Sequence, residues 1–401
     1  MTAKVNVVSL IETLHIGGDE NRLLTLARHI DRDRFRHRVI LMMSPSPESE
    51  AQLGPILGAY RDCDIRVDVV PGISADRLRN RVGALRDGVG LIGKLSRLLR
   101  DDKVDILDTR KHFSIAVGVA AGRLAGVPVI VGTEYFHQVL KGKGMSRYLL
   151  GQSSLSGLDA LISDSQDAID GYQGWLLRRH PRAVVIPNGI PFPQADKGRA
   201  EMRAWFGLPA DPSIRVIGQI SRLMPYKGQR VLLQAAAPLM AKYKHVYLLI
   251  CGYAETPAYV RELEQLALDL GIADRVRMAG YPGRVGDVWT AIDIHAHPTL
   301  FDSSPLAIHE SMALGLPAVV SDEGGIPELV ADGVTGLIVP KGDVEACTAA
   351  LDRLLRSPDL SARLGYAARQ RYVERHRPET MVRATEALFD ALLSGKRRKS
   401  A

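Results

Sequence analysis

The residues best suited to chemistry lie in one stretch, 298–328, with the sequence PTLFDSSPLAIHESMALGLPAVVSDEGGIPE. Its pattern predicts a strand, a turn, a helix, a second strand and a glycine-rich turn. Asp302 and Glu310 are separated by seven residues, so one carboxylate lies at the strand end and the other two helical turns further on. Two carboxylates beside a helix N-terminus are unfavourable unless they bind hydroxyl groups or take part in a reaction.

The sequence at the start of the predicted helix indicates an anion site at the helix N-terminus. Ser303 or Ser304 is a favourable cap, and Pro305 suits the first helical position because it lacks an amide hydrogen. The free amides that follow would bind an anion such as a diphosphate. These amides belong to Leu306, Ala307 and Ile308. The adjacent Gly324-Gly325 pair would let the backbone approach a ligand closely.

A basic loop gives a second candidate anion site. Residues 218–230, GQISRLMPYKGQR, begin at the end of a predicted strand and lead into a helix. Arg222 offers paired donors and Lys227 a point charge, so together they would hold both phosphates of a leaving nucleoside diphosphate. Both candidate sites therefore lie in the second half of the chain.

The first half carries weaker signals. Gly17 and Gly18 follow the first strand but do not form the GxGxxG pattern, which argues against a dinucleotide site. Arg110 and Lys111 follow another strand and are placed to meet an anionic acceptor. His112 beside them is a candidate acid–base residue.

Two histidines raise the question of a metal. His295 and His297 alternate on one face of a predicted strand, but no third ligand has convincing spacing. Packing or hydrogen bonding is therefore favoured over a metal site.

Short apolar runs alternate with amphipathic stretches along the whole chain, and this predicts an α/β protein with two doubly wound parallel sheets. The runs in the first half are 4–11, 37–43, 65–70, 104–109, 128–133, 160–164 and 183–187. Those in the second half are 215–221, 246–251, 276–280, 293–297, 317–321 and 336–339. Ligands are expected at the carboxyl ends of these strands, across a cleft between the two domains.

The domain boundary is expected near 187–200, where prolines and a glycine cluster. This predicts a first domain over 1–190 and a second over 191–377. The last helix, within 378–394, is a candidate to return to the first domain. Residues 395–401 form a basic tail.

The composition excludes several protein classes. The chain has 401 residues, 46% of them hydrophobic and 24% charged, as in a folded protein of two or three domains. No apolar run is long enough to span a membrane, and the N-terminus does not resemble a signal peptide. Three scattered cysteines fit a reducing, cytoplasmic setting.

The net charge of +7 is concentrated in the first half and the tail, which suggests an anionic partner such as lipid headgroups, a phosphorylated acceptor or nucleic acid. Residues 81–100 form a basic amphipathic helix that could lie on an anionic membrane surface. The Lys141–Lys143 loop and the tail would add to that contact. The alternative is that the apolar face simply covers the sheet of the first domain, and the glycines in the helix favour this alternative.

Taken together, four motifs resemble the retaining glycosyltransferase family 4, also called glycosyl transferases group 1. They are the Arg-x4-Lys loop, the acidic-x7-Glu segment, the Gly-Gly-Ile-Pro-Glu turn and the early Gly-Gly pair. The resemblance covers essentially the whole chain. It implies the GT-B architecture, in which two Rossmann-like domains bind the acceptor on the first and the sugar nucleotide on the second.

The resemblance also implies roles for individual residues. Arg222 and Lys227 would bind the donor diphosphate, Glu310 the ribose hydroxyls, and Asp302 would lie near the anomeric carbon. Further donor-side positions are Gly17, Gly18, Tyr281, Arg284, Ser304, Leu306, Ala307 and Ile308. Asp302, Arg222, Lys227 and His112 are the catalytic candidates, and those on the acceptor side are Arg110, Lys111, Glu134, Tyr135 and His137.

Two positions depart from the family pattern. The family usually has Glu where this chain has Asp302, and often His where it has Tyr135; His137 lies two residues beyond.

The expected function is transfer of a sugar, from a uridine-linked donor, to a hydroxyl of a glycan, lipid-linked or small-molecule acceptor. The resemblance implies that no metal is bound, because side chains and helix termini would neutralise the leaving diphosphate. No other cofactor and no nucleic acid are expected. The protein would act in the cytoplasm, with peripheral contact to the inner face of the cell membrane as an option. A sugar-nucleotide epimerase and a sugar-nucleotide-binding protein without turnover are the alternatives.

Overall fold

The computed structural model describes residues 4–14, 17–43, 58–70, 81–135, 154–173, 182–281 and 283–400. The chain divides into two compact units, the first formed by residues 1–189 with 378–401 and the second by residues 190–377. Each unit is built around its own parallel sheet with helices packed against it, so the predicted fold class is confirmed.

The sheet of the first unit has the strand order β3-β2-β1-β4-β5-β6-β7, and every described pair is parallel. Its strands are β1 (Val5–Ile11), β2 (Phe35–Leu41), β3 (Val67–Val69), β4 (Ile106–Arg110), β5 (Val129–Thr133), β6 (Ala160–Ser163) and β7 (Arg182–Val185). Its helices are α1 (Gly18–His29), α2 (Arg81–Asp101), α3 (His112–Ala125) and α4 (Gln166–Gln173). Every residue of β4 and β5 is buried, because helices cover both faces of the sheet.

The sheet of the second unit has the order β10-β9-β8-β11-β12-β13, which is the six-stranded order of dinucleotide-binding folds. Its strands are β8 (Arg215–Ile220), β9 (Val246–Cys251), β10 (Val276–Ala279), β11 (Ile294–His297), β12 (Ala318–Ser321) and β13 (Leu337–Val339). Its helices are α5 (Arg199–Trp205), α6 (Gln229–Lys242), α7 (Pro257–Asp269), α8 (Val285–Thr290), α9 (Leu306–Leu314), α10 (Ile326–Leu329), α11 (Val344–Arg356) and α12 (Pro358–Arg375). The strands lie where the apolar runs predicted them.

The last helix, α13 (Pro378–Ser400), packs on the first unit although it follows the second in sequence. Its Phe389 lies edge-on to Phe35 with 6.3 Å between ring centroids, and its Met381 joins the same apolar cluster. In the basic tail, Lys396 lies 2.6 Å from Asp159, so part of the tail's charge is used within the unit.

The described part of α2 does not form an exposed apolar face. Leu91, Leu95 and Leu99 are buried in the core of the first unit, whereas Val89 is 66% exposed. The apolar side of this helix therefore covers the sheet, as the alternative interpretation predicted. Within the described residues, no helix is both long and apolar enough to cross a bilayer. The side chains of Val82 and Leu85, and the loop at Lys141–Lys143, lie outside the described residues.

Candidate active site

The strand order of the second unit locates its candidate ligand site. Strands β8 and β11 are neighbours, and the chain leaves them towards opposite edges of the sheet. In doubly wound sheets a crevice forms outside the carboxyl ends of such a strand pair, and ligands bind there. The loop after β8 carries Arg222 and Lys227, and the loop after β11 carries Asp302. The two sequence motifs therefore meet at one end of one sheet.

Backbone contacts hold these two loops together. The carbonyl of Tyr226 accepts hydrogen bonds from the Leu300 amide at 2.7 Å and the Thr299 hydroxyl at 3.0 Å. Gly228 has φ of +75°, and a Cβ atom there would lie 1.9 Å from the carbonyl oxygen of Pro298. Only glycine satisfies both conditions, so the close approach of the loops depends on this position.

Lys227 does not point freely into the crevice. Its ammonium donates a hydrogen bond to the Asp302 carboxylate, and both side chains are largely buried. His297 Nε2 lies 3.6 Å from the same carboxylate oxygen, and the Ser303 amide donates to the other oxygen at 3.1 Å. Burial opposes ionisation, but Lys227 and His297 outweigh it and lower the pKa of Asp302 to about 2. Asp302 is therefore an anion at neutral pH.

Arg222 is the more available cation. Its side chain is exposed, and its guanidinium donates to the hydroxyl of Tyr226 at 3.1 Å, which is a neutral partner. An ammonium has three donors, so Lys227 can bind a phosphate oxygen without releasing Asp302. The two cations predicted to hold both phosphates therefore differ, since the Arg222 guanidinium is exposed and the Lys227 ammonium is paired with a carboxylate.

The helix that was predicted to bind an anion is present, but it begins differently. Pro305 is the cap residue and not the first helical residue, so neither Ser303 nor Ser304 caps α9, which begins at Leu306. The amide of Ile308 donates to the Pro305 carbonyl at 3.1 Å, so it is not free for a ligand. The N-terminal amides that remain from the predicted set are those of Leu306 and Ala307.

Glu310 lies on α9 and makes a contact that the sequence did not indicate. Its Oε2 accepts a hydrogen bond from Trp289 Nε1 at 2.8 Å. Burial raises the pKa of Glu310 to about 7, and the Trp289 bond opposes this rise. The carboxyl group therefore changes charge near neutral pH. Its second oxygen remains able to accept a hydrogen bond from a hydroxyl group.

The residues after β10 form an aromatic cluster. Tyr281 lies edge-on to Tyr253 with 5.0 Å between ring centroids, and Tyr253 is 54% exposed. Arg284 precedes α8 and pairs with Asp196 at 3.0 Å on the surface. Of the two predicted donor-side positions in this segment, Tyr281 therefore offers an aromatic surface, while the guanidinium of Arg284 is engaged elsewhere.

Gly324 differs from its sequence-based prediction, whereas His295 makes a hydrogen bond of the kind that was favoured over a metal site. Gly324 has φ of +53°, and a Cβ atom there would lie 2.1 Å from the Asp302 carbonyl oxygen. Its close approach is thus to the chain itself and not to a ligand. His295 Nδ1 lies 2.8 Å from the Ser311 hydroxyl. Among the described residues, no group of three or more His, Cys, Asp and Glu side chains could hold a metal ion.

In the first unit, Gly17 precedes α1 as its cap residue and Gly18 is its first residue. They bring Asp19 and Glu20 to the carboxyl end of β4. Arg110, only 3% exposed, binds Asp19 at 3.0 Å and Asp108 at 2.9 Å. A cation held between two carboxylates has little charge left for an anionic acceptor, so these ion pairs argue against the acceptor role predicted for Arg110.

Lys111 extends the same network. Its ammonium lies 2.5 Å from a Glu20 carboxylate oxygen, and its backbone φ of +66° is rare for a residue with a side chain. His112 is the first residue of α3 and immediately follows Lys111. The prediction that Arg110 and Lys111 together present free positive charge is therefore not supported, because both are paired with acids.

The other acceptor-side candidates flank this network. The Tyr135 hydroxyl donates to Asp19 at 2.8 Å, and the Tyr135 amide donates to Glu134 Oε1 at 3.1 Å. His137 lies outside the described residues. Asp108 also accepts from the Ser9 hydroxyl at 2.9 Å, which makes it the centre of the network.

Sequence reasoning missed several residues of these clusters. Asp19 directly follows the Gly-Gly pair and could have been singled out by that position. Trp289 and Asp108 gave no signal, because their roles depend on residues far away in sequence. His297 was noticed only as a candidate for packing.

Comparisons with known proteins match both units of the chain to glycosyl transferases. Residues 206–371 match the family model of glycosyl transferases group 1, and residues 17–189 match that of a glycosyl transferase 4-like domain. A GDP-mannose-dependent alpha-(1-6)-phosphatidylinositol monomannoside mannosyltransferase of Mycolicibacterium smegmatis is 33% identical over 76% of this chain and 80% of its own. A D-inositol 3-phosphate glycosyltransferase of Streptomyces griseus subsp. griseus is 28% identical over 74% of this chain and 69% of its own. Other relatives of that name align over about half of their own length.

The fold is also similar to that of solved structures. The crystal structure of Anabaena HepE in complex with UDP and glucose superposes with a TM-score of 0.79, at 22% identity, over 96% of this chain and 100% of the other. At that identity the likeness concerns the fold alone.

Proposed function

Because this chain belongs to the glycosyl transferases group 1 family, we propose that it is a retaining glycosyltransferase that uses a nucleoside diphosphate sugar. The observation that carries the proposal is the meeting of Arg222, the Lys227–Asp302 pair and the α9 N-terminus at the ends of β8 and β11. Cations and free amides at that position suit a diphosphate, and a carboxylate suits sugar hydroxyls.

The proposed chemistry is mainly electrostatic. As the bond from the anomeric carbon to the diphosphate breaks, negative charge grows on the phosphate oxygens. Arg222, one donor of Lys227 and the amides of Leu306 and Ala307 would stabilise that charge. The acceptor hydroxyl would attack from the same face that the diphosphate leaves and pass its proton to a departing phosphate oxygen, which retains the anomeric configuration.

The donor nucleotide is proposed to be uridine diphosphate, with its ribose on Glu310 and its base beside Tyr281. Since the Mycolicibacterium relative is named for GDP-mannose, GDP-sugars belong in the same test. We expect the first unit to bind the acceptor, for which relatives named for inositol phosphate and phosphatidylinositol suggest a polyol, free or lipid-linked. Such an acceptor would place the enzyme in the cytoplasm, at the inner membrane face when the acceptor is a lipid.

The test is a screen of UDP- and GDP-sugars against inositol, inositol phosphate and phosphatidylinositol, read by release of the nucleoside diphosphate. Release that depends on the acceptor supports transfer. Conversion of the donor alone to its epimer would instead identify an epimerase. Binding of the nucleotide sugar with no turnover under any pairing would identify a binding protein.

A further inference from the structure

A buried array links helix α8, strand β11 and helix α9 beneath the candidate nucleotide site. Trp289 is 2% exposed, and its ring lies edge-on to His295 with 4.9 Å between centroids and an interplanar angle of 84°. His295 Nδ1 lies 2.8 Å from the Ser311 hydroxyl, which donates to the Ile308 carbonyl at 2.9 Å. The array therefore packs the indole against β11, whose His295 is itself held by α9.

The N–H group of that fixed indole points at one carboxylate. Trp289 Nε1 donates to Glu310 Oε2 at 2.8 Å. An indole can only donate, and a carboxylate can only accept, so the direction of the bond is certain. A Glu side chain that is held at one oxygen keeps the other oxygen in a defined place, whereas an unheld Glu samples several rotamers.

We propose that Trp289 is a positioning residue for ribose recognition, which orients Glu310 so that its second oxygen accepts a ribose hydroxyl. This inference rests on the proposed function, because it requires a nucleotide at this site. It assigns to Trp289 a role beyond filling the core, and it explains why a donor group, and not only an apolar ring, stands beneath this carboxylate.

A purely structural role makes a different prediction. If Trp289 only fills the core, its replacement lowers the affinity for every ligand of the site by the same factor. If it orients Glu310, replacement removes only the part of the affinity that depends on the ribose hydroxyls. The ratio of affinities for two nucleotides that differ in those hydroxyls therefore separates the two roles.

The experiment uses calorimetry with UDP and 2′,3′-dideoxy-UDP, repeated with GDP and its dideoxy form. The variants are Trp289→Phe, Glu310→Gln and Trp205→Phe, the last being a control at a tryptophan that is 51% exposed on the same unit. Because Trp289→Phe leaves a cavity, a further protein carries 3-benzothienylalanine at position 289, which keeps the ring shape and lacks the N–H group.

We expect wild-type protein and Trp205→Phe to prefer the ribonucleotide by about tenfold or more, the value of a hydrogen bond to a charged group. The preference should fall to about threefold or less in both position-289 proteins and in Glu310→Gln. Adding Trp289→Phe to Glu310→Gln should change the preference little further, since the two residues act as one unit.

The outcomes separate the two proposals. Full preference for the ribonucleotide in the benzothienyl protein would overturn the positioning role of Trp289 and leave the proposed function standing. Equal affinity of wild-type protein for both nucleotides would also overturn it, because no ribose recognition would exist to be positioned. Failure of wild-type protein to bind UDP and GDP at all would overturn the proposed function, and this inference with it.

Discussion

The ammonium of Lys227 donates a hydrogen bond to the carboxylate of Asp302, and this ion pair joins the loop after β8 to the loop after β11. The two residues are 75 positions apart in sequence. Asp302 is the shorter acid at a position where the family usually has Glu, and it still reaches the lysine. Part of the positive charge of Lys227 is thereby neutralised, so the electrostatic load of a bound diphosphate falls more heavily on Arg222.

Arg222→Ala should lower kcat/KM by about 10- to 150-fold, because it removes a charge-assisted hydrogen bond to the departing diphosphate. Steady-state kinetics with the sugar nucleotide identified in the screen would measure the effect. The matched control is Arg230→Ala, which removes another exposed arginine at the start of α6. Similar losses in the two variants would mean that only the general positive charge matters, and wild-type activity in Arg222→Ala would remove the phosphate assignment.

Replacement of Asp302 should make the unfolding free energy less dependent on pH in the acid range. The folded-state pKa of about 2 lies below the ordinary aspartate value of 3.8, so the ionised carboxylate stabilises the fold above about pH 4. That contribution, roughly 2 kcal/mol, is lost as the pH falls from about 4 to about 2. Asp302→Asn should therefore show a smaller fall in unfolding free energy over this interval than wild-type protein, as measured by urea denaturation. An equal fall in unfolding free energy in the two proteins would contradict the ion pair.

Ionisation of Glu310, in contrast, should destabilise the fold near neutral pH. Its folded-state pKa of about 7 lies above the ordinary glutamate value of 4.5, so the folded protein holds the proton more tightly than the unfolded chain. Stability is therefore lost as the pH rises from about 4.5 to about 7, by roughly 3 kcal/mol. Glu310→Gln carries no such charge and should gain stability relative to wild-type protein between pH 5 and pH 8. A constant difference across that range would show that Glu310 titrates normally.

Most of the fold could be predicted from the sequence, for a physical reason. Strands that are buried on both faces are largely apolar, and runs such as 128–133 and 246–251 therefore stand out from the amphipathic helices between them. Strand order and the return of α13 to the first unit could not be deduced in the same way, because they depend on pairings such as Phe35 with Phe389 across the whole chain.

The candidate site was predictable where its chemistry is local. The Arg-x4-Lys loop and the acidic-x7-Glu segment each lie within a dozen residues, so their spacing is visible in the sequence. The pairing of Lys227 with Asp302, the contact of Trp289 with Glu310 and the enclosure of Arg110 by acids join distant segments. From the sequence alone, Arg110, Lys111 and Lys227 were expected to be free cations, but in the structure each is paired with an acidic side chain.

The core position of α2 gives a test of the membrane hypothesis. Leu95 is completely buried, so Leu95→Ala should cost about 2–5 kcal/mol of stability, as measured by denaturation. Val89→Ser, at a position that is 66% exposed on the same helix, should cost less than about 0.5 kcal/mol. If α2 instead inserts into a bilayer, Val89→Ser would weaken binding to anionic vesicles, and Leu95→Ala would leave stability nearly unchanged.

The central claim is retaining sugar transfer at the ends of β8 and β11, and the configuration of the product tests it most directly. Sugar nucleotides with an α-linked sugar should be incubated with the acceptor from the screen, and the new anomeric linkage read from its one-bond carbon–proton NMR coupling at C1. The account predicts an α-linked product together with one nucleoside diphosphate released per transfer. A β-linked product would contradict the mechanism, and donor consumption with no glycosylated acceptor would contradict transfer itself.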